Sequence, residues 1–406
     1  MITPPLKIQQ GGKPSENIQQ VHTFSLAEIS APNERIDNMK FICSKQTLYD
    51  AIVNVSKAVS ERSTLPSLEG IKFSLADSLL ELTGYNLEMG IRTVISVRSE
   101  DKGSCIINAR LFSEMIKKMS ADEVLIDISE SYQVTISGGV TKFNMFAASA
   151  EDYPELPEKD SETQIPIAQP VLKNMIAQTK FAVALTEDKP ILKGELFDIE
   201  DNTLTMVAID GYRMAVRYEP VKFSEPMKFV VPSKSLSEIQ GLLSDNEEDT
   251  VYIHPSRKHI IFDIGGYVVY SRLLEGDFHP YKSAIPNSSN TDVVVDRKEL
   301  ISTLERAMLL INDRSPSPVR CYFENDHVKI NCTTALGKIS DEINADIAGP
   351  VIEIGFKCKY LLDPLKVIDD EKVKLKMGGS LLAMKIVPCE GEKYTYLVLP
   401  VRLPRE

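Results

Sequence analysis

The chain has 406 residues, of which 43% are hydrophobic and 26% charged, a composition typical of soluble globular proteins. No apolar run approaches the roughly 18 residues that span a bilayer, which argues against a membrane protein. The formal net charge of −12 argues at first against a nucleic acid as partner. The length favours two to four domains.

The N-terminal segment Met1–Asn38 is rich in Gln, Pro, Asn and Ser, and its apolar residues show no clear period. It lacks the apolar core of a secretory signal, and its acidic residues argue against a transit peptide. We interpret residues 1–38 as a disordered or extraneous extension, so the folded part is predicted to begin at Met39.

The first folded elements are a strand, Lys40–Cys43, and a helix, Lys45–Arg62, whose apolar residues recur every three or four positions. Two strands follow, Gly70–Leu75 and Leu79–Gly84, joined by the polar turn Ala76-Asp77-Ser78. Apolar and polar residues alternate in the first of them, which is the period of a half-buried strand. This segment therefore predicts a β-hairpin packed beneath a helix.

A further strand, a second helix at Arg110–Ser120 and two closing strands complete a unit that the chain then repeats twice. The first helices align at Leu48, Leu172 and Leu300, with spacings of 124 and 128, and the second helices align at Leu111, Leu236 and Leu361, with spacings of 125 and 125. The helices of the later copies are predicted at Gln169–Ala184, Ser233–Ser244, Arg297–Arg314 and Lys357–Ile368. A period of about 125 residues is the size of a domain.

Each copy thus contains two helices and several strands joined by short hairpins. Two helices cover only one face of so large a sheet, which favours an α+β fold with helices on one side. Short hairpins predict mainly antiparallel sheets. We predict three tandem copies of one domain, at residues 39–158, 159–286 and 287–406.

The charge is distributed unevenly between the helices and the rest of the chain. The six predicted helices carry a net charge of +8, so all other residues together carry −20. If the helices share one face, that face attracts phosphate without reading bases. Ordinary solvated helix surface is the alternative interpretation of the same charge.

No catalytic, metal or cofactor motif is recognisable. Gly11-Gly12-Lys13 follows no strand and does not form a phosphate-binding loop. The five histidines are scattered, and the six cysteines match no zinc spacing, so we interpret them as reduced thiols of a cytosolic protein. Carboxylate clusters such as Glu247-Glu248-Asp249 are typical of solvated turns. We therefore predict a protein that is not an enzyme and that needs no metal and no cofactor.

Several segments, in order, resemble the bacterial DNA sliding clamps, the β subunits of the replicative DNA polymerase III. The matching segments are Arg62-Ser63-Thr64-Leu65-Pro66, Leu80–Met89, Ala208–Ala215, Ile354-Gly355-Phe356 with Tyr360-Leu361, and Tyr396–Leu403. The resemblance begins at Met39-Lys40-Phe41 and covers the chain to Leu403 without large gaps.

This resemblance implies the DNA clamp fold and a head-to-tail homodimeric ring that encircles duplex DNA. It implies a processivity factor that tethers the replicative polymerase and performs no catalysis. The implied partners are duplex DNA, a second copy of the chain, the clamp loader ATPase, and the polymerase and other proteins carrying a short clamp-binding peptide. The implied location is the bacterial cytoplasm, at the nucleoid.

The resemblance assigns DNA contact to Arg62 and Lys234. The helix charge adds further candidates, namely Lys117, Lys118, Lys173, Lys180 and Lys366. The subunit interface is expected to pair Phe143 and Met145 of one chain with Leu309 and Leu310 of the other.

The resemblance also implies a peptide cleft between the second and third domains. Its candidate residues are Leu192, Ile209, Gly211, Tyr212, Arg213, Met214, His279, Ala284, Leu397, Leu399, Pro400, Val401 and Arg402. Tyr212 replaces a usual His, His279 a usual Pro, and Ser283 and Ala383 occupy positions of Arg and Ser. These departures leave the peptide preference open.

The main alternative is a monomeric protein-interaction scaffold that does not encircle DNA. A native mass corresponding to one subunit and no retention on circular DNA distinguish it from a clamp. An enzyme with an unrecognised motif is a second alternative, which would require a cleft with perturbed titratable groups.

Overall fold

The computed structural model describes residues 38–60, 62–159, 162–186, 189–312 and 317–403. The predicted N-terminal extension, except Asn38, lies outside the described residues, as do residues 404–406. None of the described helices is both long and apolar enough to cross a membrane.

The first copy of the repeat contains two helices, α1 (Lys45–Ser56) and α2 (Ala109–Lys118). Its strands are β1 (Met39–Ser44), β2 (Gly70–Ala76), β3 (Leu79–Tyr85), β4 (Met89–Ser96), β5 (Gly103–Asn108), β6 (Glu123–Ile128), β7 (Gln133–Gly138), β8 (Thr141–Phe146) and β9 (Ala148–Ser149). A 3₁₀ turn at Pro66–Glu69 precedes β2.

The second copy contains α3 (Gln169–Thr179) and α4 (Ser233–Gln240) and ends in the short helix α5 (Tyr281–Ala284). Its strands are β10 (Ile165–Ala168), β11 (Gly194–Glu200), β12 (Thr203–Ile209), β13 (Arg213–Pro220), β14 (Met227–Pro232), β15 (Thr250–Pro255), β16 (His259–Asp263) and β17 (Tyr267–Arg272). Two 3₁₀ turns lie at Lys180–Ala182 and Pro190–Lys193.

The third copy contains α6 (Arg297–Met308) and α7 (Cys358–Val367). Its strands are β18 (Thr291–Asp296), β19 (Val319–Glu324), β20 (His327–Thr334), β21 (Gly337–Ala348), β22 (Ile352–Phe356), β23 (Lys372–Met377), β24 (Met384–Pro388) and β25 (Tyr394–Val398).

The six long helices follow a strand directly or after a single residue, and three begin with a side-chain cap. Ser44, Asn108 and Asp296 accept hydrogen bonds from the backbone N–H groups at the starts of α1, α2 and α6, over 3.4, 3.0 and 2.9 Å. These caps satisfy otherwise unpaired N–H donors. The repeated strand-to-helix transitions predicted from the sequence are thereby confirmed.

The helices are shorter than their apolar periods predicted. The helix expected at Lys45–Arg62 ends at Ser56, although Ala58 beyond it is fully buried. An apolar period continues through such a turn because residues after a helix end still face the core. The six long helices carry eleven Lys and Arg against six Asp and Glu, so their net charge is +5 rather than +8. Arg62 and Lys180 lie beyond helix ends.

Every strand pairing in the described part of the chain is antiparallel, which confirms the α+β prediction. The predicted hairpins form, and positive φ angles at Asp77, Ser78, Asp201 and Asn202 make their tight turns. Buried residues of α1 to α4 and of their strands belong to one apolar core, and those of α6 and α7 belong to a second.

Two strand pairings join consecutive copies into continuous sheets. β17 of the second copy pairs with β4 of the first, and β25 of the third copy pairs with β13 of the second. The sequence repeat did not predict these pairings. They place the second copy in the middle of the chain, with one domain junction on each side.

Candidate functional site

The junction between the second and third copies contains an apolar cluster at the position of the predicted cleft. Four predicted cleft residues, here called the floor, belong to it with Tyr281 and are at most 9% exposed, namely Leu192, Ile209, Met214 and Leu397. Met214 lies directly opposite Leu397 because β13 pairs with β25. The structure therefore brings together four of the predicted cleft residues from distant parts of the sequence.

The surface beside the floor, here called the edge, is aromatic and aliphatic, and it faces solvent. Gly211 has φ of +87°, a conformation that favours glycine, and it turns the chain from β12 into β13. Tyr212 is 61% exposed, and its ring stacks on Tyr360 with centroids 6.0 Å apart. The N–H group of Leu399 donates to the Tyr212 carbonyl over 2.9 Å, so this part of the edge has a defined position.

Arg213 was expected at the edge of the cleft, but its side chain is only 9% exposed and joins two domains. Nε donates to Asp210 over 2.9 Å, and Nη1 donates to Asp363 of α7. The guanidinium group lies 4.6 Å from the ring centroid of Tyr360, a cation–π contact. Arg213 thus links the second and third domains through buried contacts.

The other predicted cleft residues lie around this centre. His279 and Ala284 are exposed on either side of Tyr281, Pro400 is half-buried, and Val401 and Arg402 are exposed. The N–H group of Val401 donates to the Gly355 carbonyl over 2.9 Å, which holds the C-terminal segment against β22.

The sequence analysis missed Asp198 and Tyr281 as site residues. Asp198 is a carboxylate 1% exposed on β11, and it accepts a hydrogen bond from the Tyr281 hydroxyl group over 2.9 Å. The available signal was an acidic residue between apolar residues of a predicted strand, a pattern that Glu195 of the same strand also shows. The partner of Asp198, 83 residues later, could not be identified without the fold.

The basic candidates are exposed or half-buried, but they differ in their surroundings. Lys173 forms an ion pair with Asp245 over 2.7 Å, Lys366 pairs with Glu305 over 2.6 Å, and Lys180 donates to Gln240. Within the described residues, Lys117, Lys118, Lys234 and Arg62 form no ion pair. No acidic side chain of the described residues therefore competes with an external anion for these four.

The interface candidates lie on strand β8 and in the turn that follows helix α6. Phe143 and Met145 lie on β8, whose far side has no strand partner in the described part of the chain. Met145 is buried in the core, whereas Phe146 beside it is 71% exposed and was not predicted. Leu309 is 81% exposed, and Leu310 lies beside Gly337 at the start of β21.

No group of three His, Cys, Asp or Glu residues in the described chain is arranged to hold a metal ion. Five of the six cysteines are buried and Cys389 is exposed. Burial raises the pKa of the Cys43, Cys105 and Cys358 thiols to about 12, so these thiols stay protonated.

Comparison with known proteins identifies this arrangement. The N-terminal, central and C-terminal domains of the DNA polymerase III beta subunit match residues 39–157, 166–280 and 282–402. The beta sliding clamp of Bacillus subtilis is 33% identical over 377 residues, covering 90% of this chain and 100% of the relative. That of Halalkalibacterium halodurans is 32% identical with the same coverage.

Two solved structures share the fold. The DNA polymerase sliding clamp of Bacillus subtilis has a TM-score of 0.88 at 32% identity and covers 91% of this chain and 100% of its own. A sliding clamp of Pseudomonas aeruginosa bound to griselimycin has a TM-score of 0.86 at 27% identity and covers 90% and 100%. The chain therefore belongs to the DNA polymerase III beta subunit family, the DNA sliding clamps, which are processivity factors without catalytic activity.

Proposed function

We propose that two copies of this chain close head to tail into a ring around duplex DNA and so hold the replicative polymerase on its template. DNA and the polymerase are the partners that the family implies. The observation that supports the ring is a strand pairing. The chain forms this pairing at both internal junctions, whereas the equivalent strands of the first and third copies do not pair with each other.

The three copies can be aligned by their hairpins. Ala76 faces Leu79, Glu200 faces Thr203, and Glu324 faces His327 at the three equivalent turns. Strand β21 therefore corresponds to β4 and β13. The helix caps and the outer strands give a second alignment, in which β8 corresponds to β17 and β25.

Both internal junctions use the same register. Ser271 of β17 faces Met89, and Val398 of β25 faces Arg213. By the two alignments, the equivalent pair is Met145 and Gly337. Within one chain β8 does not pair with β21. In the described chain β8 pairs only with β7, and residues 337–344 of β21 pair only with β20, because β18 pairs with residues 345–348. Such unpaired edges readily bind another strand.

This register defines the proposed subunit contact. It places Phe143 opposite Ile339 of the partner subunit and Phe146 opposite Leu336 of the partner subunit. Phe146 and Leu336 are 71% and 62% exposed in the single chain. The N–H groups of Arg272 and Leu399, which are equivalent to Phe146, donate to carbonyls across their junctions over 2.8 and 2.9 Å. We expect Phe146 to donate in the same way to the partner's Leu336.

Native mass spectrometry with Phe146→Asp tests this contact. The variant introduces a charge into the contact, so we expect monomers at concentrations where the unchanged chain is dimeric. Leu381→Asp is the matched control because Leu381 is 77% exposed but lies on neither edge. An unchanged dimer in Phe146→Asp would rule out this register.

Retention on DNA tests the ring itself. Loaded by its clamp loader ATPase, the protein should stay on nicked circular DNA and leave when the circle is linearised. Equal loss from circular and linear DNA would favour the monomeric scaffold. We propose that the protein acts in the bacterial cytoplasm at the nucleoid, and that the domains span 39–158, 159–286 and 287–406.

Phosphate contacts are proposed for Arg62, Lys117, Lys118, Lys173, Lys180, Lys234 and Lys366. The unpaired lysines should contribute most, because Asp245 and Glu305 already neutralise two of the others. Each lost phosphate contact lowers the slope of log affinity against log salt by about 1. Lys117→Ala with Lys118→Ala should thus lower the slope more than Lys173→Ala with Lys366→Ala.

Partner proteins are proposed to insert a short peptide into the cleft between the second and third domains. The apolar floor and exposed aromatic edge suit a short peptide, and a Pseudomonas aeruginosa clamp binds griselimycin. Met214→Ala with Leu399→Ala should abolish binding of griselimycin and of a polymerase-derived peptide, and leave the dimer intact. Unchanged affinity would place the cleft elsewhere.

A further inference from the structure

Tyr281 is part of the cleft wall, and its hydroxyl group is held by a buried carboxylate. Tyr281 is 4% exposed and Asp198 is 1% exposed. Their hydrogen bond is 2.9 Å from the hydroxyl oxygen to Oδ2. The Oδ1 atom of Asp198 is buried without a partner. A buried carboxylate with so few partners depends strongly on each of them.

Two lysines on the solvent side balance the charge of Asp198. Nζ of Lys228 lies 3.2 Å from Oδ2, and Nζ of Lys282 lies 3.9 Å away. Lys282 also pairs with Glu200 over 2.5 Å. Because Tyr281 and Lys282 are adjacent, two contacts fix the short helix α5 to β11. Burial and the neighbouring carboxylate raise the pKa of Tyr281, so its hydroxyl group remains a donor at neutral pH.

The equivalent place in the first junction lacks this pair. Leu156, three residues after Tyr153, corresponds to Tyr281, three residues after Phe278. The residue equivalent to Asp198 is Ser74, since β2 aligns with β11. Leu156 instead packs against Tyr85 and Tyr270 on both sides of that junction. The polar pair therefore accompanies the junction that has a cleft.

We propose that Asp198 and Tyr281 are positioning residues for the cleft, which hold α5 and its aromatic ring in the wall. Without this hydrogen bond, the Tyr281 ring and Ala284, at the other end of α5, are free to shift relative to Met214. The pair acts on the peptide only through the shape of the wall. This inference rests on the proposed peptide-binding function.

Griselimycin binding to the full-length dimer, measured by calorimetry, tests the inference. Tyr281→Phe and Asp198→Asn should each weaken binding roughly tenfold, as expected for loss of a hydrogen bond to a charged group. The double variant should bind about as weakly as either single variant, because both remove the same interaction. Thermal unfolding of each variant shows whether the fold is retained.

Tyr153→Phe is the matched control at the first junction. The Tyr153 hydroxyl group is equally buried and donates to the Thr83 carbonyl over 3.1 Å. We expect griselimycin affinity within twofold of the unchanged chain. Normal affinity in Tyr281→Phe and Asp198→Asn, or an equal loss in Tyr153→Phe, would overturn the positioning role. No binding by the unchanged chain would instead remove the proposed cleft function, and the inference with it.

Discussion

The two domain junctions of this chain are built on the same strand pairing, yet a leucine fills one of them and the other is where we propose a cleft. At the first junction, Gly90 leaves room for Leu156, which fills the space. At the second junction, Met214 takes the place of Gly90 and Tyr281 the place of Leu156. The two junctions of this repeated scaffold thus differ in the side chains at two equivalent positions, and we attribute the proposed binding surface to that difference.

The junctions also differ in how charge is used. Arg213 is buried at the second junction between Asp210, Asp363 and Tyr360. At the first junction, Arg92 is more exposed, 3.9 Å from Glu81 and 5.9 Å from the Tyr270 ring. The second junction therefore depends on a buried ionic network, and the first depends mainly on apolar packing.

Arg213→Ala should have the largest effect of the changes considered. It leaves Asp210 and Asp363 without their partner, and breaking a buried ion pair costs about 3 to 5 kcal/mol. Arg92→Ala is the control and should cost about 1 kcal/mol, as for a partly exposed pair. Denaturant unfolding measures both. Equal losses would mean that the two junctions do not differ in this way.

Gly90→Met tests whether Leu156 closes the first junction. A Cβ atom at Gly90 would lie 2.3 Å from Cδ2 of Leu156, so the leucine must move. Overpacking of this kind costs about 1 to 3 kcal/mol. Adding Leu156→Ala to Gly90→Met should recover part of the stability in denaturant unfolding. If Gly90→Met alone is neutral, Leu156 is not confined there.

Glu195→Gln tests a pH dependence that only the second domain should show. Glu195 is fully buried beside Thr179. The equivalent pairs in the other two domains are apolar, namely Ile71 with Val55 and Val319 with Ala307. Burial raises the pKa of Glu195 to about 8, against partial opposition from Thr179 and Lys180. The Thr179 hydroxyl group also donates to the Met175 carbonyl over 2.8 Å. When Glu195 is protonated, the single hydroxyl proton of Thr179 remains in that hydrogen bond.

Because the folded-state pKa is raised, the folded state binds the proton more tightly than the unfolded state. The contribution of Glu195 to stability therefore falls as pH rises from about 4.5 to about 8. Glu195→Gln should remove this dependence, so its stability relative to the unchanged chain should increase by about 2 kcal/mol between pH 6 and pH 8. Parallel stability–pH curves for both proteins would contradict the assignment.

The architecture could be predicted from the sequence because it depends on local residue patterns. Three strand–helix units recur, and polar residues mark each hairpin turn. Helix ends were wrong because Ala58 stays buried after α1 has ended. The net charge of the helices was overestimated because the predicted helices were too long. They included Arg62 and Lys180, which lie in turns.

Features that depend on distant contacts could not be predicted. The resemblance suggested where the cleft lies, but neither it nor any local pattern indicated that Arg213 is buried or that Asp198 meets Tyr281. The ion pairs of Lys173 and Lys366 also join residues more than 60 positions apart. The register of the unpaired edges required the two internal pairings as templates.

The unpaired edges have a consequence for how the proposed ring opens. The two internal ladders are tied by peptide linkers, which keep their strands at a high effective concentration even when the ladder breaks. The contact between β8 and the partner's β21 has no such tether, so dilution alone separates it. If the proposed subunit contact is comparable to the internal ones, the absence of a covalent connection is sufficient to make it the place where we expect the ring to open for DNA.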